Sequence, residues 1–303
     1  MTRNKHIYMG MVVLQAFIFG VGNALTKVAY ESISPFWSMF FRFGLALALF
    51  LLFFGKGVFA ELRKAPPSVW LPSSICVSAT YILCNLALDR TTATNVGFLM
   101  SLSILFVPFF EAVVMKRAYR AKYAPAQLLV ILGLYLLCSN GGDFTFGIGE
   151  LFGLLSSAAM AGALVYGEKG LQNMDVMAIS TIQIGLTVLL SLAGALLMEP
   201  GFRVETVEPE AWLVLLYLSI GSTCGAFWLQ NKALTALSST QVSLILCSEP
   251  VFTAIVSFML LAEALSGAGL AGTGIIISCI VAETYILSSD AAASPQKAPE
   301  GAV

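Results

Sequence analysis

Long apolar stretches separated by short polar joints make up almost the whole chain. Crossing a hydrocarbon layer takes about 20 mostly apolar residues, and ten stretches meet or approach that length: 7–28, 35–55, 68–88, 92–115, 124–139, 148–167, 175–198, 211–231, 240–261 and 267–288. Barrel strands would alternate apolar and polar positions over about 10 residues; these runs are longer and continuously apolar, so each predicts a helix. The fifth is the shortest, and the joints leave no room for a separate soluble domain. Residues 1–6 are a short polar start, whereas 289–303, SDAAASPQKAPEGAV, have the composition of a disordered tail. The basic start and apolar core of the N-terminus imitate a secretory signal, but that core is too long for one and no small-residue cleavage site follows, so it predicts a first membrane helix.

The pattern occurs twice. Asn85-x-Ala87-Leu88, five residues, then Thr94-Asn95-Val96 matches Asn231-x-Ala233-Leu234, five residues, then Thr240-Gln241-Val242, at a shift of 146. Each copy leads into a helix with an interior proline, Pro108 and Pro250, where the shift falls to 142, a slip of about one helical turn. Weaker matches extend the repeat: Ala16 and Lys27 with Ala158 and Lys169, Gly44-Leu45 with Gly185-Leu186 and Arg42 opposite Gln183, Gly133 and Cys138 with Gly274 and Cys279. Five helices, residues 7–139, therefore answer five helices, residues 148–288. Five is odd, so the second copy enters the membrane from the opposite side. The expected fold is an all-α polytopic membrane protein of two inverted five-helix repeats.

Composition agrees: 58% of the 303 residues are hydrophobic, 11% are charged, and mean hydropathy is +0.87. The net charge of −1 favours no nucleic-acid partner. Its distribution says more. One set of loops and termini carries Arg3, Lys5, Lys56, Arg63, Lys64, Lys116, Arg117, Arg120, Lys122, Lys169, Lys232 and Lys297, against Lys27, Arg90 and Arg203 on the other, where the loop 199–210 is acidic. Twelve against three predicts both termini in the cytoplasm. The six cysteines all lie in apolar stretches with no CxxC pair, so they read as packing residues rather than metal ligands, and no cofactor is implied.

With its two five-helix halves, the run Asn95-Val96-Gly97-Phe98-Leu99 ending at Pro108, and Ser248-Glu249-Pro250-Val251-Phe252 followed by Glu263, the chain resembles the drug/metabolite transporter superfamily in its ten-helix EamA-like branch. The resemblance covers about residues 7–288 and implies two inverted bundles around a central cavity that moves small metabolites by alternating access. Lys116-Arg117 departs from it, standing where members often carry a glutamate.

Ionisable groups at bilayer depth are costly, at least about 2.5 kcal/mol each on the insertion scale, and each needs an account. Glu249 lies near the midplane beside Pro250, whose missing N–H frees the Leu246 carbonyl, and reads as a proton or cation site or as a bundle-holding hydrogen bonder. Arg42 is placed to bind a substrate carboxylate, to pair with Glu249, or to snorkel to the headgroups. Glu111 and Glu283, near helix ends, read as structural. Gln15, Gln183 and Asn95 are polar candidates for the cavity or for interhelical bonds, and Tyr81 and Trp228, sharing helix faces with Asn85 and Asn231, are candidate aromatic contacts for a ligand. Trp37 reads as an interfacial belt residue. Pro108 and Pro250 are candidate helix breaks for gating.

Other signals fail their context. Gly267-Ala268-Gly269-Leu270-Ala271-Gly272 satisfies GxGxxG but opens an apolar span, so it predicts close helix packing instead of a dinucleotide site. Gly141-Gly142-Asp143 lies in a loop, and the one histidine, His6, lies in the N-terminal tail, so enzyme chemistry lacks its usual residues. The expected function is secondary active transport of a small organic solute, amino acid-like, cationic or neutral, across the cytoplasmic membrane. H+ or a counter-solute is the expected driver, and the protein is expected as a monomer or weak homodimer in the bilayer. A flippase for a lipid or lipid-linked group on the same fold is the alternative.

Overall fold

The structure is a computed structural model that describes residues 2–118, 124–139, 146–261 and 266–293. All its regular elements among these residues are helical: α1 (Thr2–Ala29), α2 (Pro35–Lys64), α3 (Pro67–Arg90), α4 (Ala93–Ser101), α5 (Ser103–Phe110), α6 (Ala124–Ser139), α7 (Ile148–Gly170), α8 (Val176–Met198), α9 (Pro209–Tyr217), α10 (Ala226–Leu234), α11 (Ser239–Leu246), α12 (Glu249–Leu261) and α13 (Gly267–Ala293). Two π-helical segments, Glu111–Met115 and Leu218–Gly225, continue α5 and join α9 to α10, and a 3-10 turn covers Val204–Thr206. Eight continuous helical stretches are long and apolar enough to span a membrane, and shorter apolar helices lie at Gln127–Leu136 and Gly267–Cys279. The protein is thus a ten-segment, multi-pass membrane protein of two inverted repeats.

Helix ends follow local chemistry. Pro35 and Pro67 sit in the first turns of α2 and α3, where a missing N–H costs nothing. Thr92 caps α4 by accepting from the Asn95 backbone N–H, and at the equivalent place Ser238 and Gln241 form a capping box that starts α11. The π segment at 111–115 stops at Lys116, which is left-handed (φ 54°), and the Arg117 N–H returns to the Glu111 carbonyl at 3.3 Å. Two helices outrun expectation. α2 continues nine residues past 55 through KGVFAELRK, half-polar but without a proline, and α13 reaches Ala293, five residues into the predicted tail. α1 likewise begins at Thr2, inside the predicted polar start. Glu263, the Gly141–Asp143 loop, residues 294–303 and the side chains of Glu283 and Cys138 lie outside the described residues.

Equivalent helices of the two halves pack on one another, α2 on α8 and α6 on α13. The second pairing is close: a Cβ at Gly133 would sit 2.9 Å from the Gly272 carbonyl, so the glycine-rich start of α13 is a packing surface. Around the centre, α1 lies on α12 and α7 on α5, and the seam repeats in detail. Gly20 lets Phe252 approach, and Gly162, 142 residues later, lets Phe110 approach, itself 142 residues before Phe252.

Candidate functional site

Both central helices are interrupted. The first breaks at Leu102, between α4 and α5, and the second at Cys247–Ser248, between α11 and α12, with short i to i−3 bonds (Leu102 N to Leu99 O 3.1 Å, Ser248 N to Ile245 O 3.0 Å) tightening each turn. The breaks align at the shift of 146, so it is the prolines that slipped by a turn. Pro250 lies in the first turn of α12, where it starts a helix, while Pro108 lies inside α5, six residues beyond the break. There it leaves the Ile104 carbonyl without a helical partner, and the Gln127 side chain of α6 donates to it at 3.4 Å. Pro250 therefore stands beside its break, and Pro108 stands away from its own.

Residues 146 apart also touch across the centre. The Cys247 thiol lies 3.6 Å from the Ser101 carbonyl, and Tyr81 stacks on Phe227 with centroids 5.4 Å apart and planes at 21°. Equivalent residues of an inverted pair meet only near the axis that relates them. These two contacts mark that axis, and a chamber lies along it, walled by Tyr81, Phe227, Met100, Asn85, Gln230, Arg42 and Glu249 among others. The cavity is about 40 Å³, room for a few water molecules.

Arg42, on α2, is 6% exposed. Its Nε donates to Thr223 Oγ1 and its Nη2 to Ser222 Oγ, both at 2.8 Å, and the guanidinium lies 5.2 Å and 5.5 Å from the centroids of Phe43 and Tyr81. Ser222 and Thr223 are neighbours in the π segment, whose wide turn brings consecutive side chains closer in azimuth and so aims both hydroxyls at one group. Glu249 is 7% exposed and is the first residue of α12, so the break gives its carboxylate a helix N-terminus to face. Asn23 Nδ2 donates to its Oε1 at 2.8 Å. Arg42 and Glu249 share the chamber but do not pair, since the ion pairs among the described residues are Arg90–Asp89 and Arg117–Glu168.

The other candidates separate. Tyr81 is in the chamber wall. Gln15 stands just behind it, its Nε2 donating to Gln230 Oε1 at 2.5 Å, with its own Oε1 buried and unpartnered. Gln183 lies between helices, accepting from Asn231 Nδ2 at 3.0 Å. Asn95 is away from the chamber at the start of α4, where its side chain donates to Thr91 Oγ1 at 3.2 Å. Trp228 is 36% exposed and points away, and Phe227 holds the place opposite Tyr81. The repeat shift leads from Tyr81 to Phe227 directly, whereas the i, i+3 spacing to Asn231 led to Trp228. Asn23, Ser222 and Thr223 carried no motif that would single them out.

Carboxylates close the bundle at both faces. At the face with the basic loops, Glu111 accepts from the Thr240 N–H (3.1 Å) and hydroxyl (2.9 Å), and Glu168 accepts from the Ser239 N–H (2.8 Å) and hydroxyl (2.6 Å) and from Arg117 Nη1 (2.5 Å). The start of α11 is thus gripped by groups from both halves, beneath an open vestibule that Lys5 also lines. At the opposite face Glu150 accepts from Thr91, next to the start of α4, and from the Gly147 N–H at 2.9 Å, and Glu199 accepts from Ser34 (2.6 Å) and from the Phe36 and Trp37 N–H groups (3.2 Å each) at the start of α2. Tyr30 closes the chamber there, its hydroxyl donating to Asn85 Oδ1 at 2.5 Å.

The sequence profile of the EamA-like transporter family matches residues 6–139 and 147–282, one match per half. The chain belongs to the EamA-like transporter family. Similar proteins include an uncharacterized transporter of Archaeoglobus fulgidus, 30% identical over 274 residues (87% of this chain, 91% of that one). The pseudopaline exporter CntI of Pseudomonas aeruginosa strain UCBPP-PA14 is 26% identical over 275 residues (89% and 93%). A crystal structure at 19% identity superimposes with a TM-score of 0.74, covering 95% of this chain and 99% of that one, a likeness of fold. This EamA-like chain is a transporter and not an enzyme, a multi-pass membrane protein whose partners are a small-molecule substrate and lipid.

Proposed function

We propose that this EamA-like protein is a secondary active transporter that carries a small organic solute through the axial chamber by alternating access, with both termini in the cytoplasm and Glu249 as the coupling carboxyl for H+. The observation that supports it most is one chamber on the repeat axis, with Arg42 and Glu249 in its wall and a separable seal on each side. The Glu111 and Glu168 grip would close the cytoplasmic side, and Tyr30–Asn85 with the Glu150 and Glu199 contacts the outer side. Two helices broken beside the chamber supply hinges that let one seal part while the other holds. The present state is closed on both sides, and its cavity must widen to admit a solute. Glu249 meets water from alternate sides as the seals exchange, which is what a coupling group requires. In proteoliposomes with an imposed pH gradient, the gradient should drive flux in the wild type and not in Glu249→Gln. Gradient-driven flux that survives this change would remove the coupling role.

A further inference from the structure

The two ends of the α2–α8 pair are finished differently. At the shift of 141 that sets Arg42 opposite Gln183, the N-cap of α2, Ser34, answers the N-cap of α8, Asp175, so each face of the bundle has a crevice where one of these helices starts beside the end of the other. On the face opposite the basic loops the chain fills its own crevice. α8 stops at Met198 and the chain turns back, Glu199 accepts from the Ser34 hydroxyl and from the Phe36 and Trp37 N–H groups, and the Phe202 ring stacks on Trp37 with centroids 4.8 Å apart. On the basic-loop face the chain takes another course. Asp175 caps α8 by itself, accepting from the Met177 N–H at 2.8 Å, and α2 runs straight past Gly57, the position answering Met198, to Lys64. In the place of the strap, among the described residues, stands an open groove of about 880 Å³ between α2 and the start of α8.

We propose that this groove is a binding site for a glycerophospholipid whose headgroup ends in a primary ammonium, phosphatidylethanolamine being the simplest. Its lining runs along α2 in the order of such a molecule. Leu51, Leu52, Phe53 and Phe54 are exposed at the end of the apolar run, where acyl chains lie, and Lys56 follows at the level of a phosphate. Glu61, about 7.5 Å further along the axis, lines the groove with Asp175 of α8, at the level of the ammonium. Lys56 and Glu61 form no ion pair among the described residues, and capping occupies one oxygen of Asp175. One cation and two acids therefore remain for a ligand. A headgroup bearing phosphate and ammonium answers both signs, whereas an anionic one ending in hydroxyls would set its charge against the acids, and a choline would offer them no N–H. The caps account for the difference between the crevices: Ser34 can donate to a carboxylate, so the chain supplies Glu199, while Asp175 would repel one and calls for a cation. Gly57, where a Cβ would meet nothing within 4 Å, keeps the wall of the groove open. The site lies on the outside of the bundle and is independent of what the chamber carries.

The test uses the purified full-length protein, stripped of lipid in detergent, with phosphatidylethanolamine, phosphatidylcholine and phosphatidylglycerol of identical chains and with glycerophosphoethanolamine, which is the headgroup alone. Phosphatidylethanolamine should raise the melting temperature most and be retained in native mass spectrometry about fivefold or more over each of the other two lipids, while glycerophosphoethanolamine should leave the melting temperature unchanged. Asp175→Asn combined with Glu61→Gln, which keeps the α8 cap and removes both acids, should bring phosphatidylethanolamine to the level of phosphatidylcholine. Lys56→Gln should weaken these two lipids alike, by about fivefold, because both carry the phosphate. Gly57→Trp, which leaves every charge in place and fills open space, should abolish the preference by occupying the groove. An unchanged melting temperature in lipid-free detergent shows that the variants are folded, and Gly57→Leu takes the place of Gly57→Trp if the larger ring unfolds the protein. Equal retention of the three lipids overturns the proposal, as does a preference for either of the other two or stabilisation by glycerophosphoethanolamine equal to that by the lipid. A preference that survives both the removal of the acids and the filling of Gly57 would place the lipid elsewhere and overturn it too.

Discussion

The two broken helices were built from one plan, yet only one carries charge. α4–α5 and α11–α12 share the break at a shift of 146 and a capped start beside a carboxylate of the opposite half, Glu150 in one case and Glu111 in the other. At the break, however, Glu249 of the second copy is answered by Ser103 in the first. The reverse holds one layer out: Arg42 in the first half faces the chamber, while Gln183 in the second is absorbed between helices by Asn231. Duplication supplied equivalent positions, and each half charges only one of them. A buried charge is expensive, and this division leaves the chamber with one of each sign rather than two of either.

If the chemistry is divided in this way, exchanging or removing charges should hurt far more than altering the shared frame. Glu249→Gln should lower gradient-driven flux by about an order of magnitude or more, while Ser103→Ala, at the matching place, should leave it within about twofold; equal losses in a proteoliposome assay would erase the distinction. The frame itself should be sensitive where the halves touch. Gly20→Leu would drive a side chain into the backbone of α12, where even a Cβ meets Phe252 Cβ at 2.6 Å and Thr253 N at 2.8 Å, so a destabilisation of about 1–3 kcal/mol or failure to fold is expected. Gly44→Ala, with nothing within 4 Å, should change the melting temperature little. The two seals should respond on opposite sides. Glu168→Gln, which loosens Arg117 and the start of α11, should raise severalfold the labelling of a cysteine in the chamber by a reagent supplied from the basic-loop face, and not from the other. The smallest effect belongs to Trp228→Phe: flux should stay within about twofold, and a large loss would bring that residue back into the site.

The helices were legible because lipid imposes a blunt rule, an apolar run of fixed length, and the repeat was legible because its offset stayed nearly constant. Glu249 and Arg42 stood out for the same reason, as charges where charge is costly. What stayed hidden was direction. Nothing in a run of letters shows that the π segment turns Ser222 and Thr223 together onto Arg42, or that Asn23 reaches Glu249 from a helix 226 residues away in sequence. Asn95 matched the repeat because it is part of a duplicated helix start, and its value lies there rather than in the chamber. Phe227 was concealed because an aromatic beside a tryptophan looks like ordinary filling. The arithmetic of the repeat would have found it.

Tyr81 resting on Phe227 has one more implication. A ring that meets its own counterpart cannot be displaced by one protomer-like half alone, because any slide that frees the first also uncovers the second. The pair therefore opens as one unit, and parting the halves at that point exposes both faces together.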